Sequence, residues 1–286
     1  GVLMLAGGSI SHTALRYAGL ANGNIVPWSA LYTSGSAGSL NDVEFTSSSA
    51  VGWYTANNAT LTNGKFYDNA TQGAYVESGA SSTMTAVEFA RNGAQGLYVG
   101  GAQAYVYGST FASNGTYGAE VGGASGTLWI TTAAFTGNAS GVVRLHPQSD
   151  FMLAGAVTAS GSPILGLDVA GGAISLNRIW RRSPLPYVLR TAQTTVNGSG
   201  SLTIEAGSVI KLQGTFHGNQ GMLRADRPMT ISGTAADPVI FTSLKDDTVG
   251  GDTNNDGGAS VPARGDWQGV LMLAGGSISH TALRYA

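Results

Sequence analysis

The sequence contains no cysteine, which excludes a disulfide framework, a thiolate zinc site and a cysteine nucleophile. Charged residues make up only 10% of the chain, against a usual share of about 25%. The formal net charge of −2 lacks the basic excess that binding to duplex nucleic acid requires. No uninterrupted apolar run reaches the roughly 18 residues of a membrane span. We therefore expect that this segment does not bind nucleic acid and that it contains no membrane span.

Glycine is abundant, with 43 residues among 286, or about twice the usual share of roughly 7%. It has no three-residue period, which excludes a collagen triple helix. Apolar residues account for 43% of the chain, too many for a disordered, charge-rich protein. This composition is typical of a secreted, β-rich protein of the cell surface, and we expect an extracellular location.

An identical segment occurs twice. Residues 1–18 read GVLMLAGGSISHTALRYA, and residues 269–286 repeat these letters without a change. The duplication predicts a tandem array of 268-residue units, in which residues 1–268 form one unit and residues 269–286 begin the next. An artificial duplication is the alternative. Neither copy resembles the polar cap of a finished solenoid, so we expect adjacent units to be partners of one another.

A shorter repeat of 21–24 residues runs inside the long one. Phenylalanine recurs at this spacing, and asparagine follows four of these residues three positions later. An apolar pair preceded by glycine comes soon after, as in Gly96-Leu97-Tyr98-Val99. The two columns consist of Phe45, Phe66, Phe89, Phe111 and Phe135, and of Asn69, Asn92, Asn114 and Asn138.

This period is too short for a pair of helices and lacks the leucine-rich-repeat frame. Short, alternating, β-branched segments punctuated by Gly, Asn and Ser predict a coil of stacked parallel strands. Equivalent side chains then form ladders along the axis, with Phe inside and Asn at a turn. We expect a single continuous β-solenoid over residues 1–286 with about eleven coils per 268 residues. The coils begin near residues 1, 23, 52, 73, 96, 118, 141, 164, 187, 209, 239 and 269, so that position 269 has the same phase as position 1.

The repeats at 202–273 resemble the right-handed parallel β-helix of the pectate-lyase-like class, in particular bacterial surface and adhesin-type proteins. The resemblance is carried by Leu202-Thr-Ile-Glu-Ala-Gly-Ser-Val-Ile-Lys211, by Ile231-Ser-Gly-Thr-Ala-Ala-Asp-Pro-Val-Ile-Phe-Thr-Ser243 and by Gly265-Asp-Trp-Gln-Gly-Val270. It implies the fold more strongly than an activity, because lyases, hydrolases, adhesins and phage spikes share this architecture.

A polar insertion at 246–257 is the stretch richest in potential chemistry. Its Asp-x-Asn-x-Asp-Gly pattern matches the first half of a calcium loop, although Ala263 stands where the final Glu of a complete loop would be. Hard oxygen ligands on alternate residues suit Ca²⁺. A solvated Asp/Asn loop is the alternative. The candidate ligands are Asp246, Asp247, Asp252, Asn254 and Asp256.

A second candidate site is a column of outward-facing tyrosines, Tyr54, Tyr75 and Tyr98. It would serve as a platform for stacking sugars, as a lateral packing seam, or as an aromatic ladder that stiffens neighbouring coils. The sequence offers no catalytic residues: the Asn-Thr-Asp, Gly-His-Gly and Arg-Ile-Lys elements of the β-helix galacturonases are missing from it.

Three functions are compatible with these features. A non-enzymatic structural fibre of the cell surface accounts best for the duplicated segment, the low charge and the missing catalytic motifs. The alternative is a surface adhesin that binds glycans or neighbouring cells, and a polysaccharide lyase or hydrolase is a lesser alternative.

Overall fold

The computed structural model describes residues 2–5, 8–18, 29–35, 37–214 and 221–286. All regular structure in these residues is β-strand. No helix among them is long and apolar enough to cross a membrane. The chain divides into two compact units: unit 1 comprises Gly1–Val143 and Leu153–Ser162, and unit 2 comprises Arg144–Met152 and Pro163–Ala286.

Unit 1 alternates between two parallel sheets: each coil contributes one strand to the first sheet and one to the second, except that one coil contributes both β8 and β9 to the second. The first sheet contains β1 (Val2–Met4), β3 (Ser29–Thr33), β5 (Val51–Thr55), β7 (Ala74–Glu77), β10 (Leu97–Gly100), β12 (Tyr117–Val121) and β14 (Gly141–Leu145). The second contains β2 (Gly8–Arg16), β4 (Gly38–Thr46), β6 (Ala59–Tyr67), β8 (Ser81–Thr85), β9 (Glu88–Ala90), β11 (Gln103–Ala112), β13 (Thr127–Thr136) and β15 (Asp150–Ser160). The end of β14 and the start of β15 belong to unit 2.

Unit 2 builds each coil from three short strands in three parallel sheets. The main sheet contains β16 (Leu167–Val169), β19 (Tyr187–Leu189), β22 (Val209–Leu212), β25 (Val239–Ser243) and β28 (Thr281–Leu283). A four-stranded sheet contains β17 (Gly172–Ile174), β20 (Thr194–Val196), β23 (Leu223–Ala225) and β26 (Val270–Met272). Another contains β18 (Asn177–Trp180), β21 (Ser201–Glu205), β24 (Met229–Ser232) and β27 (Gly276–Ser279).

Left-handed backbone bends the second-sheet strands of unit 1. Asp42, Asn63 and Thr132 have φ of 52°, 53° and 60°, and each interrupts the outward–inward alternation of its strand. A second column of positive φ follows each strand, at Ser47, Asp68 and other equivalent positions. Because Asn and Asp tolerate this conformation better than most residues, they recur at these bends.

The predicted phenylalanines stack along the interior of unit 1. Ring centroids of successive members, from Phe45 to Phe135, lie 5.0, 5.3, 4.9 and 4.8 Å apart, and the rings are nearly parallel. Every member is at most 1% exposed. Because a single coil cannot cover its own Phe, burial of roughly 1.5–3 kcal/mol per side chain depends on the coils on either side.

The predicted asparagines form a buried chain of hydrogen bonds beside the Phe ladder. The Nδ2 of Asn69 donates to the Oδ1 of Asn92 (2.9 Å), and the same bond joins Asn92 to Asn114 (3.0 Å) and Asn114 to Asn138 (2.9 Å). Each Nδ2 also donates to the carbonyl of the Phe one coil back, as Asn92 does to Phe66 (3.0 Å). Backbone N–H groups donate to the same Oδ1 atoms, so each carboxamide satisfies main-chain groups at the turn.

The coil boundaries follow the expected positions in most of the chain. Starts near 52, 73, 96, 118 and 141 fall on or beside first-sheet strands of unit 1, and 187, 209 and 239 fall on main-sheet strands of unit 2. The expected starts at 1 and 23 lie outside the described residues, and the start at 164 comes three residues before β16. The prediction of one continuous solenoid over residues 1–286 stays a prediction.

The expected coil start at 269 is wrong. Residues 270–272 form β26, which pairs with β23 rather than with the main-sheet strand β25. The next main-sheet strand is β28, which begins at Thr281 and pairs with β25. The coil that starts at Val239 is therefore enlarged by the polar insertion and does not close before residue 281. Position 269 thus lies partway round a coil, and the number of coils differs slightly from eleven.

The asparagine ladder yields a prediction about stability. Asn92→Ala leaves the buried N–H of Asn69 without its acceptor and the carbonyl of Phe66 without its donor. Since an unsatisfied buried group costs about 1–3 kcal/mol, we expect the free energy of unfolding to fall by about 2–4 kcal/mol. Urea denaturation measures this change. The control is Asn58→Ala, whose Oδ1 accepts from Ser81 at an exposed site, where water can replace the bond. Equal effects of the two substitutions would contradict a stabilising role for the ladder.

Candidate functional site

The polar insertion is a loop of unit 2 that leaves the coil after β25 and rejoins it before β26. Its base is closed by Asp266, whose carboxylate accepts from the Oγ of Ser243 (2.6 Å) and the Nζ of Lys245 (2.8 Å). Its middle is held by Thr253, a buried residue whose carbonyl accepts from the N–H of Leu165 (2.8 Å). The loop therefore has fixed attachments at both its base and its middle.

Asp246 points away from the outer part of this loop. The residue is fully buried, and its carboxylate accepts from the Oγ1 of Thr242 (2.5 Å) and from the Oγ1 and N–H of Thr248 (2.5 and 3.1 Å). Burial acts to raise its pKa, but these hydrogen bonds and the charge of Lys211 outweigh burial and lower the pKa. Asp246 thus shapes the turn and lies outside the carboxylate cluster described next.

Three of the other predicted ligands do come together. Carboxylate oxygens of Asp247, Asp252 and Asp256 all lie within 4.8 Å of one another. Asp252 accepts from the N–H groups of Asp256 (3.0 Å) and Gly257 (2.9 Å). Asp256 accepts from its own following turn, through the N–H groups of Gly258, Ala259 and Ser260, and from the Nδ2 of Asn254 (2.7 Å). We call Asp247, Asp252 and Asp256 the acidic cluster.

The acidic cluster has unsatisfied acceptor capacity. Burial, followed by the neighbouring charge of Asp252, raises the pKa of Asp247. Its Oδ1 is buried and has no hydrogen-bond partner among the described residues, and the same is true of the Oδ1 of Asn254. The hydroxyl of Ser260 contributes most to the lowered pKa of Asp256. Carboxylate and amide oxygens arranged in this way are ligands that a hard divalent cation prefers.

Lys211 supplies one positive charge to the same loop. It belongs to the otherwise apolar strand β22, is fully buried, and donates from Nζ to the carbonyl of Gly251 (2.5 Å). Burial lowers its pKa, against the opposing charges of Asp247, Asp246 and Asp252. A lysine within an apolar strand is a signal of a buried counter-charge that the sequence interpretation overlooked. One lysine does not balance the three carboxylates of the cluster together with Asp246.

The tyrosine column forms a stack on the outer face of the first sheet in unit 1, and it has a fourth member. Centroids of Tyr32, Tyr54, Tyr75 and Tyr98 are successively 5.5, 4.7 and 4.9 Å apart. Tyr32 lies 22 residues before Tyr54 in the same Leu/Trp-Tyr-Thr context, a signal the sequence interpretation missed. The hydroxyl of Tyr98 lies over Gly122, where an added Cβ would come within 1.9 Å of it. Since the ring faces cover one another, this arrangement favours a coil-stiffening ladder over a sugar platform.

The cationic and hydroxyl-rich surfaces are less distinctive. In unit 2, Arg181, Arg182 and Arg190 each contact a carboxylate, at 2.5 Å from Asp150, 2.9 Å from Asp237 and 2.9 Å from Asp168 respectively. In unit 1, a shallow depression of about 590 Å³ is lined by small and hydroxyl-bearing residues without a titratable side chain. These lining residues are Gly8, Ala37, Gly38, Ser39, Asn58, Ala59, Thr60, Ser81 and Thr83.

Comparison with known families agrees with this architecture. The family model described as the right-handed beta helix region matches residues 22–156. With the stacked parallel strands of both units, the match confirms the predicted fold class, an all-β parallel β-solenoid. The pectate-lyase-like subclass stays a prediction. No curated protein and no solved structure gives a significant match to the chain.

The tyrosine stack predicts how stability depends on high pH. Burial is the main cause that raises the pKa of Tyr75, and the charge of Glu77 adds to it. A phenol whose pKa is higher in the folded state contributes stability below the unfolded pKa of about 10, and this contribution is lost as pH rises above it. Tyr75→Phe should therefore reduce the loss of unfolding free energy between pH 8 and pH 11. Tyr107→Phe, outside the stack, is the matched control. An identical loss in all three proteins would show that the ladder does not titrate in this way.

Proposed function

We propose that this protein is a structural fibre of the cell surface, extracellular and non-enzymatic, built from tandem β-solenoid units. The single observation that carries the proposal is the identity of residues 1–18 with residues 269–286. A duplicated segment of this length at a period of 268 residues is what a tandem array would leave in any stretch longer than one unit. Solenoid coils suit such an array, because each coil contacts only its neighbours and can be added without limit.

The interior of the molecule supports a structural function. In unit 1 the space inside the coils is filled by the Phe ladder and by apolar residues such as Leu97 and Val99, both 0% exposed. Arg181, Arg182 and Arg190 of unit 2 are engaged with carboxylates, and the described lining of the depression in unit 1 carries no group that could act as an acid or a base. Because this architecture also hosts enzymes, the argument for a non-enzymatic function rests on these sites and not on the fold.

An adhesin is the second candidate, favoured by the hydroxyl-lined depression of unit 1. Serine, threonine and asparagine side chains there could hydrogen-bond to a neutral glycan. Binding of a glycan that is lost on Thr60→Val and retained on Thr110→Val, an exposed threonine outside the depression, would favour this function. An equal response of both variants would contradict glycan binding in the depression.

The intact mass of the polypeptide isolated from its natural source tests the fibre. We expect a mass equal to several units of 268 residues, and electron micrographs that show thin unbranched fibres. Ten to eleven coils at about 4.8 Å each predict an axial repeat of roughly 50 Å. A native polypeptide of 29.0 kDa in globular particles would overturn the proposal.

We also propose that the acidic cluster binds Ca²⁺. The donor set fits: the carboxylates of Asp247, Asp252 and Asp256 converge, and the Oδ1 atoms of Asp247 and Asn254, which have no hydrogen-bond partner in the described part of the chain, offer further oxygen ligands. Asp246 is no longer among the proposed ligands, because its oxygens bond to Thr242 and Thr248. A bound cation would relieve the repulsion that contributes to the raised pKa of Asp247. Its effect would be local, since the loop is an excursion from the coil.

Thermal unfolding with calcium or with chelator tests this site. Calcium at about 100 times its dissociation constant should add about 2.7 kcal/mol to the free energy of unfolding. Asp247→Asn should remove this response. It should also raise the free energy of unfolding in chelator, because it removes a carboxyl group whose ionised form the folded state disfavours. Asp226→Asn, at an ion pair with Arg224 elsewhere in unit 2, should keep the response. A melting temperature that does not change with chelator or calcium would contradict calcium binding.

A further inference from the structure

The two identical segments pair with neighbouring strands on different sides. We call residues 1–18 the N-terminal copy and residues 269–286 the C-terminal copy. The N-terminal copy pairs with the strands that follow it: Val2 lies beside Leu31, and Ile10 beside Leu40. The C-terminal copy pairs with strands that precede it: Val270 lies beside Leu223, and Ile278 beside Ile231. One sequence thus has a partner on its forward side in one place and on its backward side in the other.

The two copies bond through opposite strand edges. In the N-terminal copy, the carbonyl of Met4 accepts from the N–H of Ser34 (2.9 Å). In the C-terminal copy, the N–H of Leu273, which corresponds to the residue after Met4, donates to the carbonyl of Ala225 (2.8 Å). Successive residues of a strand direct their backbone groups to opposite edges, so these two sets of bonds do not compete.

The backbone of the segment also bends alike in both places. His12 and His280 have φ of 50° and 40°, and Tyr17 and Tyr285 have φ of 52° and 61°. In both copies the threonine after the histidine donates a side-chain hydrogen bond to the serine carbonyl two residues before it, at 2.8 and 2.9 Å. At these positions one conformation is close to what both sets of partners require, whereas Gly8 has φ of 138° and its counterpart Gly276 is outside the positive-φ region.

We propose that in the tandem array one eighteen-residue segment makes both sets of pairings at once, as a junction coil between consecutive units. This inference rests on the proposed function, because it takes the next repeat of this chain as the occupant of the open side. The C-terminal copy contributes the backward pairings to β23, β24 and β25, and the N-terminal copy contributes the forward pairings to β3 and β4.

Two side-chain ladders support the junction coil, because the partners of the same residue are large and apolar on both sides. Leu283 pairs with Phe241, and its counterpart Leu15 pairs with Phe45, the first member of the Phe ladder. The leucine of the junction coil would therefore lie between two phenylalanines of adjacent repeats. Likewise, the isoleucine of the segment would lie between Ile231 of one repeat and Leu40 of the next.

The exposed apolar surface of the C-terminal copy has the same explanation. Ile278 is 55% exposed and Leu283 is 52% exposed, although each belongs to a ladder of otherwise buried residues. A following coil would cover these side chains as each coil of unit 1 covers the one before it. The partner that fits by register and by sequence is the β4 strand of the next repeat, since it already packs on the identical residues of the N-terminal copy.

Engineered disulfides test the junction coil in a chain of two consecutive repeats. In this two-repeat chain the eighteen-residue segment occurs three times, and the middle copy joins the first repeat to the second. Because the sequence has no native cysteine, each disulfide can be assigned unambiguously. Backward pairing is reported by Ser232→Cys with Ser279→Cys in the middle copy, because these residues are register partners. Forward pairing is reported by Ser279→Cys in the middle copy with Asn41→Cys in the second repeat, since Ser11 and Asn41 are partners. Partners on adjacent strands lie about 4.8 Å apart, within the range that a disulfide spans.

We expect both disulfides to form in the two-repeat chain. The controls are S232C/S279C and S11C/N41C in the 286-residue chain, which establish that each bond forms where the structure already pairs the residues. Formation of only one bond in the two-repeat chain, with both controls positive, would overturn the junction coil. This outcome is independent of the mass of the native polypeptide, which tests the fibre itself.

A second variant separates burial from cross-linking. Leu283→Ala in the middle copy of the two-repeat chain removes a side chain that lies between two phenylalanines. The same substitution in the C-terminal copy removes one that is covered on one side only. We expect the melting temperature to fall further for the middle copy, and an equal fall for both positions would contradict the proposal.

Discussion

Every coil of this protein depends on the coils beside it. A single coil cannot cover a phenylalanine ring, satisfy the carboxamide of a buried asparagine or complete the hydrogen bonds of its own strands. Stacking at the spacing of parallel strands does all three, and it does so only when like residues meet. The 4.8–5.3 Å spacing of the Phe rings and the 2.9–3.0 Å bonds between the Asn side chains are two consequences of this one constraint.

The two units meet the constraint with different residues. Unit 1 uses flat aromatic rings inside, stacked tyrosines outside and carboxamides at a turn. Unit 2 uses aliphatic ladders, such as Ile204–Ile231–Ile278. Many of its polar residues lie in the polar insertion, a loop that leaves the coil. The excursion is held by Asp246, Lys211 and Asp266, whose charges are engaged within the fold. The acidic cluster beyond them includes a buried carboxylate oxygen, the Oδ1 of Asp247, that has no hydrogen-bond partner among the described residues.

An exposed solenoid edge invites association, because its backbone groups and apolar side chains lack partners. In this chain the described residues of the two identical copies pair with following strands in one place and with preceding strands in the other. This complementarity gives the proposed fibre a particular set of strand registers at the junction between two repeats. In the proposed array, the phase of a repeat would not have to be preserved for the repeat to continue, because the bends at the histidine and the tyrosine of the segment are alike in both copies.

Much of the fold could be predicted from the sequence, because the periodicity of Phe and Asn reflects direct contact between equivalent positions of neighbouring coils. Spacing alone therefore identified the two ladders, most coil starts and the outward tyrosines. Spacing did not reveal that Asp246 points inward, because Thr242 and Thr248 donate hydrogen bonds to its carboxylate only once the turn has formed. It did not reveal that Lys211 reaches the loop, since forty residues separate that lysine from its acceptor Gly251.

The position of the C-terminal copy shows where the sequence by itself stopped being sufficient. The eighteen letters are identical in both copies, and the sequence determined the bends at the histidine and the tyrosine, which are alike in both. Strand pairing was decided by the tertiary structure: the insertion after β25 enlarges its coil, and residues 270–272 then meet β23 instead of the main sheet. A strand's partner depends on where the preceding chain has delivered it, and that is a property of the whole coil and not of the segment.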